Sequence, residues 1–151
     1  MKIASTAFLC LSAGVGCGAG TPASQLPSAG AAAPPANFTE QVALGQKLYA
    51  DNCASCHGAG GEGKNAPRLV GLKQGALPLD PPPAAKARKT PFKTVADVAD
   101  FTVKTMPADH PGSLQTEQYW AILAFDLKAN GIDLGDKKLD GALAATLTIP
   151  R

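Results

Sequence analysis

Hydrophobic and small side chains recur at helical spacing in three separate stretches of this 151-residue chain. The first stretch begins at Asn37, and Glu40 three residues later completes the pattern of a capping box. Behind this start, four residues follow one another at intervals of four, three and four, which places them on one narrow face and predicts a helix. These residues are Phe38, Val42, Gly45 and Tyr49.

The second and third stretches carry their own start and stop signals. Thr94 with Asp97 can open a second helix, which Pro107 prevents from continuing. Thr116 can cap a third helix, which an Asn-Gly pair at residues 130–131 brings to an end. The stripes are Val95, Val98, Ala99 and Thr102 in the second helix, and Trp120, Leu123 and Leu127 in the third.

Between and beyond these helices the chain is irregular. Its 16 glycines and 13 prolines predict long stretches without regular structure. Loop 72–93 contains a Pro-Pro-Pro run at 81–83 that favours polyproline geometry, and a loop of this length is usually functional or disordered. The tail, residues 132–151, has mixed charge and then an apolar segment at 142–149. The sequence leaves open whether this tail straps across the domain or lies loose.

The first 16 residues have the pattern of an export signal. Lys2 gives a positive start, and the uncharged run from Ile3 to Gly16 is too short to span a bilayer comfortably. The alternative, a buried N-terminal helix, is disfavoured by the glycines of this run and by its position. We therefore predict a signal peptide over residues 1–16, export of the mature chain and no ordinary transmembrane anchor.

Cys17 follows this signal and resembles the cysteine of a bacterial lipoprotein box, which becomes lipid-modified and N-terminal. Gly14 departs from that pattern, which usually has Leu at this position. Residues 17–36 are rich in Gly, Ala, Pro, Ser and Thr, and this composition predicts a flexible linker. We expect a lipid-anchored protein on the periplasmic side of a bacterial membrane. The alternative is plain cleavage near Ala33 or Ala36, which gives a soluble periplasmic protein.

Composition limits the classes of function. The chain has 14 Lys and Arg residues against 12 Asp and Glu, a net charge of +2 that excludes a strongly basic nucleic-acid-binding protein. Hydrophobic residues make up 45% of the chain, enough for the core of one domain, but aromatic residues make up only 5%. A core with so few aromatic side chains leaves room for another large apolar group.

The small net charge conceals an uneven distribution. Residues 64–93 contain seven basic residues and one acidic residue, Asp80, whereas residues 94–136 contain seven acidic residues against Lys104 and Lys128. Such a dipole can orient a partner during encounter. The alternative is a solvated loop whose charges only keep the protein soluble. The basic residues are Lys64, Arg68, Lys73, Lys86, Arg88, Lys89 and Lys93.

The chemistry of the chain is concentrated at residues 53–57, Cys-Ala-Ser-Cys-His. This spacing is that of a c-type haem attachment site. Cys53 and Cys56 are placed to bond the two vinyl groups on one haem edge, and His57 offers a nitrogen to the iron. Random placement of these residue types would give this spacing in about one such chain in a thousand. We therefore predict one covalently attached haem c, an iron cofactor.

Three other interpretations of the motif are weaker. A thioredoxin-like redox pair needs a βαβ context, which the flanking sequence does not have. A zinc site needs about four ligands, and with Cys10 and Cys17 removed from the site only His110 remains outside the motif. A structural disulfide would not require His57.

An electron carrier needs a second axial ligand to the iron. After removal of the signal, Met106 is the only methionine, and it lies 49 residues beyond His57, enough chain to reach the far face of a haem. A thioether ligand favours ferrous iron and raises the reduction potential. Two alternatives are that Met106 is ordinary core filler, or that His110 is the ligand and gives a bis-histidine iron.

With these features in one chain, residues 37–131 resemble a class I c-type cytochrome. The resemblance implies an all-α fold in which three main helices wrap around one covalently bound haem. It rests on the order of Gly45 and Tyr49, the motif at 53–57, the stretch 64–72 and the pair Met106-Pro107.

The resemblance also implies roles for single residues. The carbonyl of Pro67 would accept a hydrogen bond from the His57 nitrogen that faces away from the iron, and Leu69 would pack on the haem. Met106 would be the sixth ligand. The cofactor-binding residues implied are Cys53, Cys56, His57, Pro67, Leu69 and Met106, with His57 and Met106 as metal ligands and no catalytic residue.

Within the family, the chain looks most like bacterial cytochrome domains that serve quinoprotein dehydrogenases and respiratory chains. The implied function is transfer of single electrons between periplasmic or membrane redox partners (a dehydrogenase, an oxidase or another cytochrome) by a carrier that is not an enzyme. Two alternatives remain. One is a ligand-binding haem sensor or enzyme with a labile sixth ligand, and the other is a cytochrome subunit fixed within a dehydrogenase complex.

Overall fold

Five α-helices account for most regular structure in the residues that the computed structural model describes, 33–74, 76, 79–81 and 88–150. A 3-10 turn covers Leu72–Gln74, and an isolated antiparallel bridge pairs Thr94 with Thr148. The all-α prediction is confirmed. The predicted signal peptide, Cys17 and the linker as far as residue 32 lie outside the described residues. The helices are α1 (Phe38–Asn52), α2 (Ala54–His57), α3 (Val95–Thr105), α4 (Thr116–Ala129) and α5 (Gly141–Thr146).

The first two predicted helices begin at the predicted caps. The side chain of Asn37 accepts a hydrogen bond from the backbone N–H of Glu40 at 3.0 Å, which caps α1. At α3, Thr94 and Asp97 form a reciprocal capping box. The backbone N–H groups of Thr94 and Lys93 donate to the Asp97 carboxylate at 2.8 Å each and lower its pKa. Local side-chain chemistry therefore sets both helix starts.

The start of α4 differs from the prediction by one residue. The cap is Gln115 and not Thr116, because the backbone N–H of Gln115 donates to the side-chain oxygen of Gln118 at 2.8 Å. Thr116 is the first helical residue. At the other end, Asn130 is the C-cap, and Gly131 follows with a φ of +82°, as the predicted stop requires.

The core lies between α1, α3, α4 and α5. α1 packs chiefly against α4, and α3 packs against both α4 and α5. In the α1 stripe, Phe38, Gly45 and Tyr49 are buried and Val42 is half-buried. The main cluster contains Phe38, Phe92, Val95, Val98, Ala99, Leu123, Ala124, Leu127, Leu139, Ala144 and Ile149.

The C-terminal tail straps across the domain. Gln41 and Leu139 are fully buried and exchange two hydrogen bonds, from Gln41 Nε2 to the Leu139 carbonyl at 2.8 Å and from the Leu139 N–H to Gln41 Oε1 at 2.7 Å. After α5, the N–H of Ile149 donates to the carbonyl of Lys93 at 3.0 Å. The tail therefore connects α1 to the start of α3.

Arg88 holds the described parts of loop 72–93 together. Its side chain donates to the carbonyl oxygens of Leu79 at 2.7 Å and Asp80 at 3.0 Å, and its guanidinium lies 3.8 Å from the centroid of the Phe92 ring. Because Arg88 is only 8% exposed, it does not belong to an exposed basic surface, which corrects the charge pattern predicted from the sequence. Lys86 lies outside the described residues.

Candidate functional site

The motif at residues 53–57 lies at the junction of α1 and α2. The N–H of Cys53 donates to the carbonyl of Tyr49 at 2.8 Å, and the N–H of His57 donates to the carbonyl of Cys53 at 2.9 Å. Cys53 and Cys56 are free thiols, the first half-buried and the second exposed, so the two cysteines are not joined as a disulfide. One helical turn therefore presents two thiols and an imidazole.

His57 is held by Pro67. The imidazole is only 7% exposed, and its Nδ1 lies 2.7 Å from the carbonyl oxygen of Pro67. Because a carbonyl oxygen only accepts hydrogen bonds, Nδ1 carries the proton and the lone pair of Nε2 is available to a metal. A hydrogen bond of this kind fixes the ring orientation and makes the imidazole a better ligand. The structure thus brings these two predicted site residues together.

The loop after α2 folds back onto the helix, which explains how Pro67 reaches His57. The carbonyl of Cys56 accepts hydrogen bonds from the N–H groups of residues 65 and 66, both at 3.0 Å. The carbonyl of His57 accepts from the N–H of Gly63 at 2.7 Å. Gly63 has a φ of +85°, a backbone conformation that favours glycine. The turn that positions Pro67 therefore depends on this glycine.

Asn130 fastens the segment that contains Leu69 to the end of α4. Its Nδ2 donates to the carbonyl of Leu69 at 3.0 Å and to that of Asp126 at 2.9 Å, and its Oδ1 accepts from the N–H of Gly71 at 2.8 Å. Leu69 itself is half-buried. The sequence indicated Asn130 only as a helix stop, whereas its side chain positions a second part of the site.

Met106 lies at the C-terminal end of α3 and is fixed through its backbone. Its N–H donates to the carbonyl of Thr102 at 2.8 Å, and its carbonyl accepts from the Tyr119 hydroxyl at 2.7 Å. A cis peptide bond joins Met106 to Pro107, and the residue is half-buried. These contacts come from α3 and α4 and are separate from the cluster around His57. Tyr119 was not among the residues predicted from the sequence.

The alternative ligand, His110, faces solvent. Its side chain is 76% exposed, and its Nδ1 lies 3.2 Å from the Asp109 carboxylate. Over the described ranges, no group of three or more His, Cys, Asp or Glu side chains is arranged to hold a metal ion. The described residues therefore give no support to the zinc interpretation.

A buried acidic group, Asp126, lies close enough to the motif to affect the pKa values of its neighbours. Burial, and to a smaller extent the negative charge of Asp126, raise the pKa of the Cys53 thiol to about 12. The same two causes raise the pKa of Tyr49, whose hydroxyl donates to the Gly58 carbonyl at 3.0 Å. The burial of Asp126 could have been predicted from the sequence, because this acidic residue follows Leu123 by three positions and so falls on the apolar face of α4.

The donor set fits a covalently attached haem. Two unbridged thiols precede a buried imidazole whose Nδ1–H is bonded to a backbone carbonyl. The free Nε2 lone pair is the donor that an iron requires. The raised pKa of Cys53 keeps this half-buried thiol protonated at neutral pH.

The comparisons with known proteins agree with this chemistry. The model of a family described as cytochrome C oxidase, cbb3-type, subunit III, matches residues 40–125, more than half of the chain. The chain is similar to the crystal structure of the sulfane dehydrogenase SoxCD from Paracoccus pantotrophus, with a TM-score of 0.54 and 28% sequence identity. This likeness covers 88% of the present chain and 69% of that chain. A search of curated proteins gave no match.

Proposed function

Because this chain belongs to the cytochrome c family described as cytochrome c oxidase, cbb3-type, subunit III, we propose that it carries single electrons on a haem c held by Cys53, Cys56 and His57. When bound, such a haem supplies a one-electron ferric/ferrous couple. The family and the SoxCD likeness both support a mono-haem c-type cytochrome that transfers electrons. The observation that carries the residue assignment is the 2.7 Å hydrogen bond between His57 and Pro67.

Each residue of the motif has a separate role in this proposal. Cys53 and Cys56 would hold the haem covalently, and His57 would offer Nε2 to its iron. Pro67 keeps His57 in the tautomer and orientation that such a bond needs, and Leu69 would pack on the haem. Because Cys53 is the N-cap of α2 and Cys56 and His57 lie within this short helix, the chain holds the three groups without closing a long loop.

Met106 is the proposed sixth ligand. Support comes from its backbone, which Thr102 and Tyr119 fix between α3 and α4, and from the exposure of His110. With His57 and Met106 both bound to it, a haem iron would have no open site for substrate, and the protein would be a carrier and not an enzyme. The alternative is a haem sensor or enzyme in which Met106 dissociates readily.

Carbon monoxide binding to the reduced protein separates these two functions. A carrier with a firmly bound Met106 resists carbon monoxide, so its visible spectrum stays unchanged, whereas Met106→Ala opens the sixth position and binds the gas. Rapid binding by the unsubstituted protein would favour the sensor or enzyme. His110→Ala is the matched control, because this exposed side chain can be removed without opening the position.

The proposed partner is a dehydrogenase. Support comes from the likeness to SoxCD, a sulfane dehydrogenase, at 28% identity. The protein is then either a mobile acceptor for such an enzyme or a subunit fixed within it. Gel filtration of the native, detergent-solubilised protein distinguishes the two, because haem absorbance elutes at the size of one chain for a mobile carrier. Elution with a larger complex supports a fixed subunit.

We also propose that the protein is held on the periplasmic side of the membrane by a lipid on Cys17. Among the described residues, no helix has the length and apolar character needed to cross a membrane. Cys17→Ser should move the protein from the membrane fraction to the soluble periplasmic fraction while the haem spectrum stays unchanged. Mass spectrometry of the mature N-terminus decides the matter, since an unmodified end beyond Cys17 means plain cleavage.

A further inference from the structure

Asp126 is a buried acidic side chain that the proposed electron-transfer site does not use. It lies on α4 between Leu123 and Leu127 and is only 8% exposed. Its Oδ1 atom is buried and has no hydrogen-bond partner. A carboxylate in this position has lost its hydration without compensation, which is costly, and a proton on the group removes that cost.

Among the described residues, none of those that line the cavity beside Asp126 carries a positive charge. A cavity of about 20 Å³ adjoins the residue, which is room for a single water molecule. Asn130 is the other polar residue in its lining, and the rest, from the 3-10 turn, α3, α4 and the tail, are apolar. Within the described part of the chain, the titratable groups that sense the charge of Asp126 are Tyr49 of α1 and Cys53, the C-cap of this helix.

Neither of these two groups relieves the buried charge. The Tyr49 hydroxyl donates its hydrogen to the carbonyl of Gly58, and Cys53 loses its thiol hydrogen when it binds haem. Burial therefore raises the pKa of Asp126 to about 8. A carboxyl with this pKa changes its protonation near neutral pH in response to a modest change in nearby charge.

The change in nearby charge comes from electron transfer. Asp126 lies close enough to Cys53 for its charge to raise the pKa of that thiol, and Cys53 is the proposed attachment point of the haem. Electrostatic influence is mutual, so a change of charge at the group bound to Cys53 alters proton binding at Asp126. Reduction removes one positive charge from this site and so disfavours the carboxylate.

We propose that Asp126 takes up one proton when the protein accepts an electron and releases it when the electron leaves, an inference that rests on the proposed haem attachment at Cys53. The electron comes from the redox partner and the proton from solvent, and the proton forms the O–H bond of the carboxylic acid. On oxidation, the electron passes to the acceptor and the proton returns to solvent. The carrier therefore transfers an electron and a proton together over part of its pH range.

The reduction potential of the holoprotein tests this coupling. Spectroelectrochemical titration across about two pH units on either side of 8 should show a potential that falls as pH rises. If one proton accompanies each electron, the potential should fall by up to about 59 mV for each pH unit, because one pH unit is a tenfold change in proton activity. Asp126→Asn should abolish the slope and keep the potential near the wild-type value at low pH. Asp51→Asn removes the same charge at an exposed position two residues from Cys53 and should leave the slope intact.

Infrared difference spectroscopy supplies a second measurement on the unsubstituted protein. Reduction near pH 8 should produce a carbonyl band of a protonated carboxyl group, and the band should shift when aspartate is labelled with ¹³C at its side-chain carboxyl. This experiment remains decisive even if Asp126→Asn fails to mature.

A wild-type potential that is flat across this range, an unchanged slope in Asp126→Asn, or the absence of the labelled band would overturn the proposal. These outcomes can be distinguished from the outcome expected if the proposed electron-transfer function is wrong. Without a bound haem the protein shows no reversible one-electron couple, whereas a flat potential leaves electron transfer intact.

Discussion

Gly45 of α1 lies directly against the backbone of Ala121 in α4. A Cβ atom on residue 45 would stand 1.9 Å from the Ala121 carbonyl oxygen and 2.5 Å from its carbonyl carbon. Contacts this short force backbone to move, because no flexible side chain is available to yield. Glycine at this position is therefore what allows the two main helices to cross so closely.

We expect Gly45→Ala to destabilise the holoprotein by at least about 3 kcal/mol, the upper end of the usual cost of overpacking. The measurement is denaturant unfolding followed by circular dichroism. Gly141→Ala is the matched control, because its Cβ would stand 3.7 Å from the Trp120 ring, an ordinary contact. Equal stability of the two variants would show that the helix crossing tolerates a side chain.

The stability of the reduced protein should depend on the ionisation of Asp126. Because burial raises its pKa from 3.8 to about 8, the folded protein retains a proton that the unfolded chain gives up. Stability is then fully present below about pH 4 and falls by a few kcal/mol as pH rises toward about 8. Asp126→Asn should remove this loss in unfolding measurements over the same range.

Asp97 provides a control, because its pKa is shifted in the direction opposite to that of Asp126. Hydrogen bonds from backbone N–H groups lower its pKa, so its contribution to stability is present above the unfolded pKa and disappears in acid. Asp97→Asn should therefore destabilise the protein at neutral pH and have little effect at low pH. If Asp126→Asn showed this same pH profile, the assignment of a raised pKa would be wrong.

The sequence predicted the parts of this protein that depend on local signals. The capping box at Thr94 and Asp97 and the cysteine-histidine spacing at 53–57 are read from residues that are neighbours in the chain. The reciprocal pair Gln41 and Leu139 is different, since 98 residues separate its members and neither has a local signature. The strap formed by the tail could not be predicted for this reason.

The same distinction applies within the site. The resemblance implied a pairing of His57 with Pro67, which are ten residues apart, and the structure contains a hydrogen bond between them. The side chains of Tyr119 and Asn130 donate hydrogen bonds to backbone carbonyls of segments that are distant in sequence. The sequence around each residue does not indicate these partners. For Arg88, charge alone suggested exposure, but stacking on Phe92 and bonds to loop carbonyls bury it.

Met106→Ala should change the iron without disturbing the attachment of the haem. Oxidised wild-type protein should show the weak red charge-transfer band of sulfur-ligated ferric haem, and the variant should lose this band. Its reduction potential should fall, because the thioether favours ferrous iron. His110→Ala should keep both the band and the potential. Loss of low-spin character in His110→Ala alone would identify histidine as the ligand.

The exposed lysines near the motif should guide negatively charged partners. Lys64 lies just before the segment that bonds to α2, and Lys73 lies in the 3-10 turn, and both are exposed. Oxidation of the reduced protein by hexacyanoferrate(III), an anion, should slow as salt rises through ~0.1 M, where the screening length is ~10 Å. Reversing both lysines to Glu should slow it by about tenfold with an unchanged spectrum.

The control for this prediction is Lys104→Glu, a reversal of an exposed lysine on α3. Tris(1,10-phenanthroline)cobalt(III), a cation that is a stronger oxidant than hexaammineruthenium(III), should show the opposite dependence on salt in the wild-type protein. If the oxidation rate changed neither with salt nor in the double reversal, partners would not approach the protein at Lys64 and Lys73.

Both the proposed electron transfer and the proposed proton uptake by Asp126 require one haem that is attached covalently through Cys53 and Cys56. The direct measurement is intact-mass spectrometry of the exported protein after denaturation in acid and organic solvent, with the visible spectrum recorded on the same sample. We predict a chain that carries the added mass of one haem and retains its colour, and a colourless chain without that mass when both cysteines are replaced by Ala. Release of the haem from the unsubstituted protein under these conditions would contradict the account.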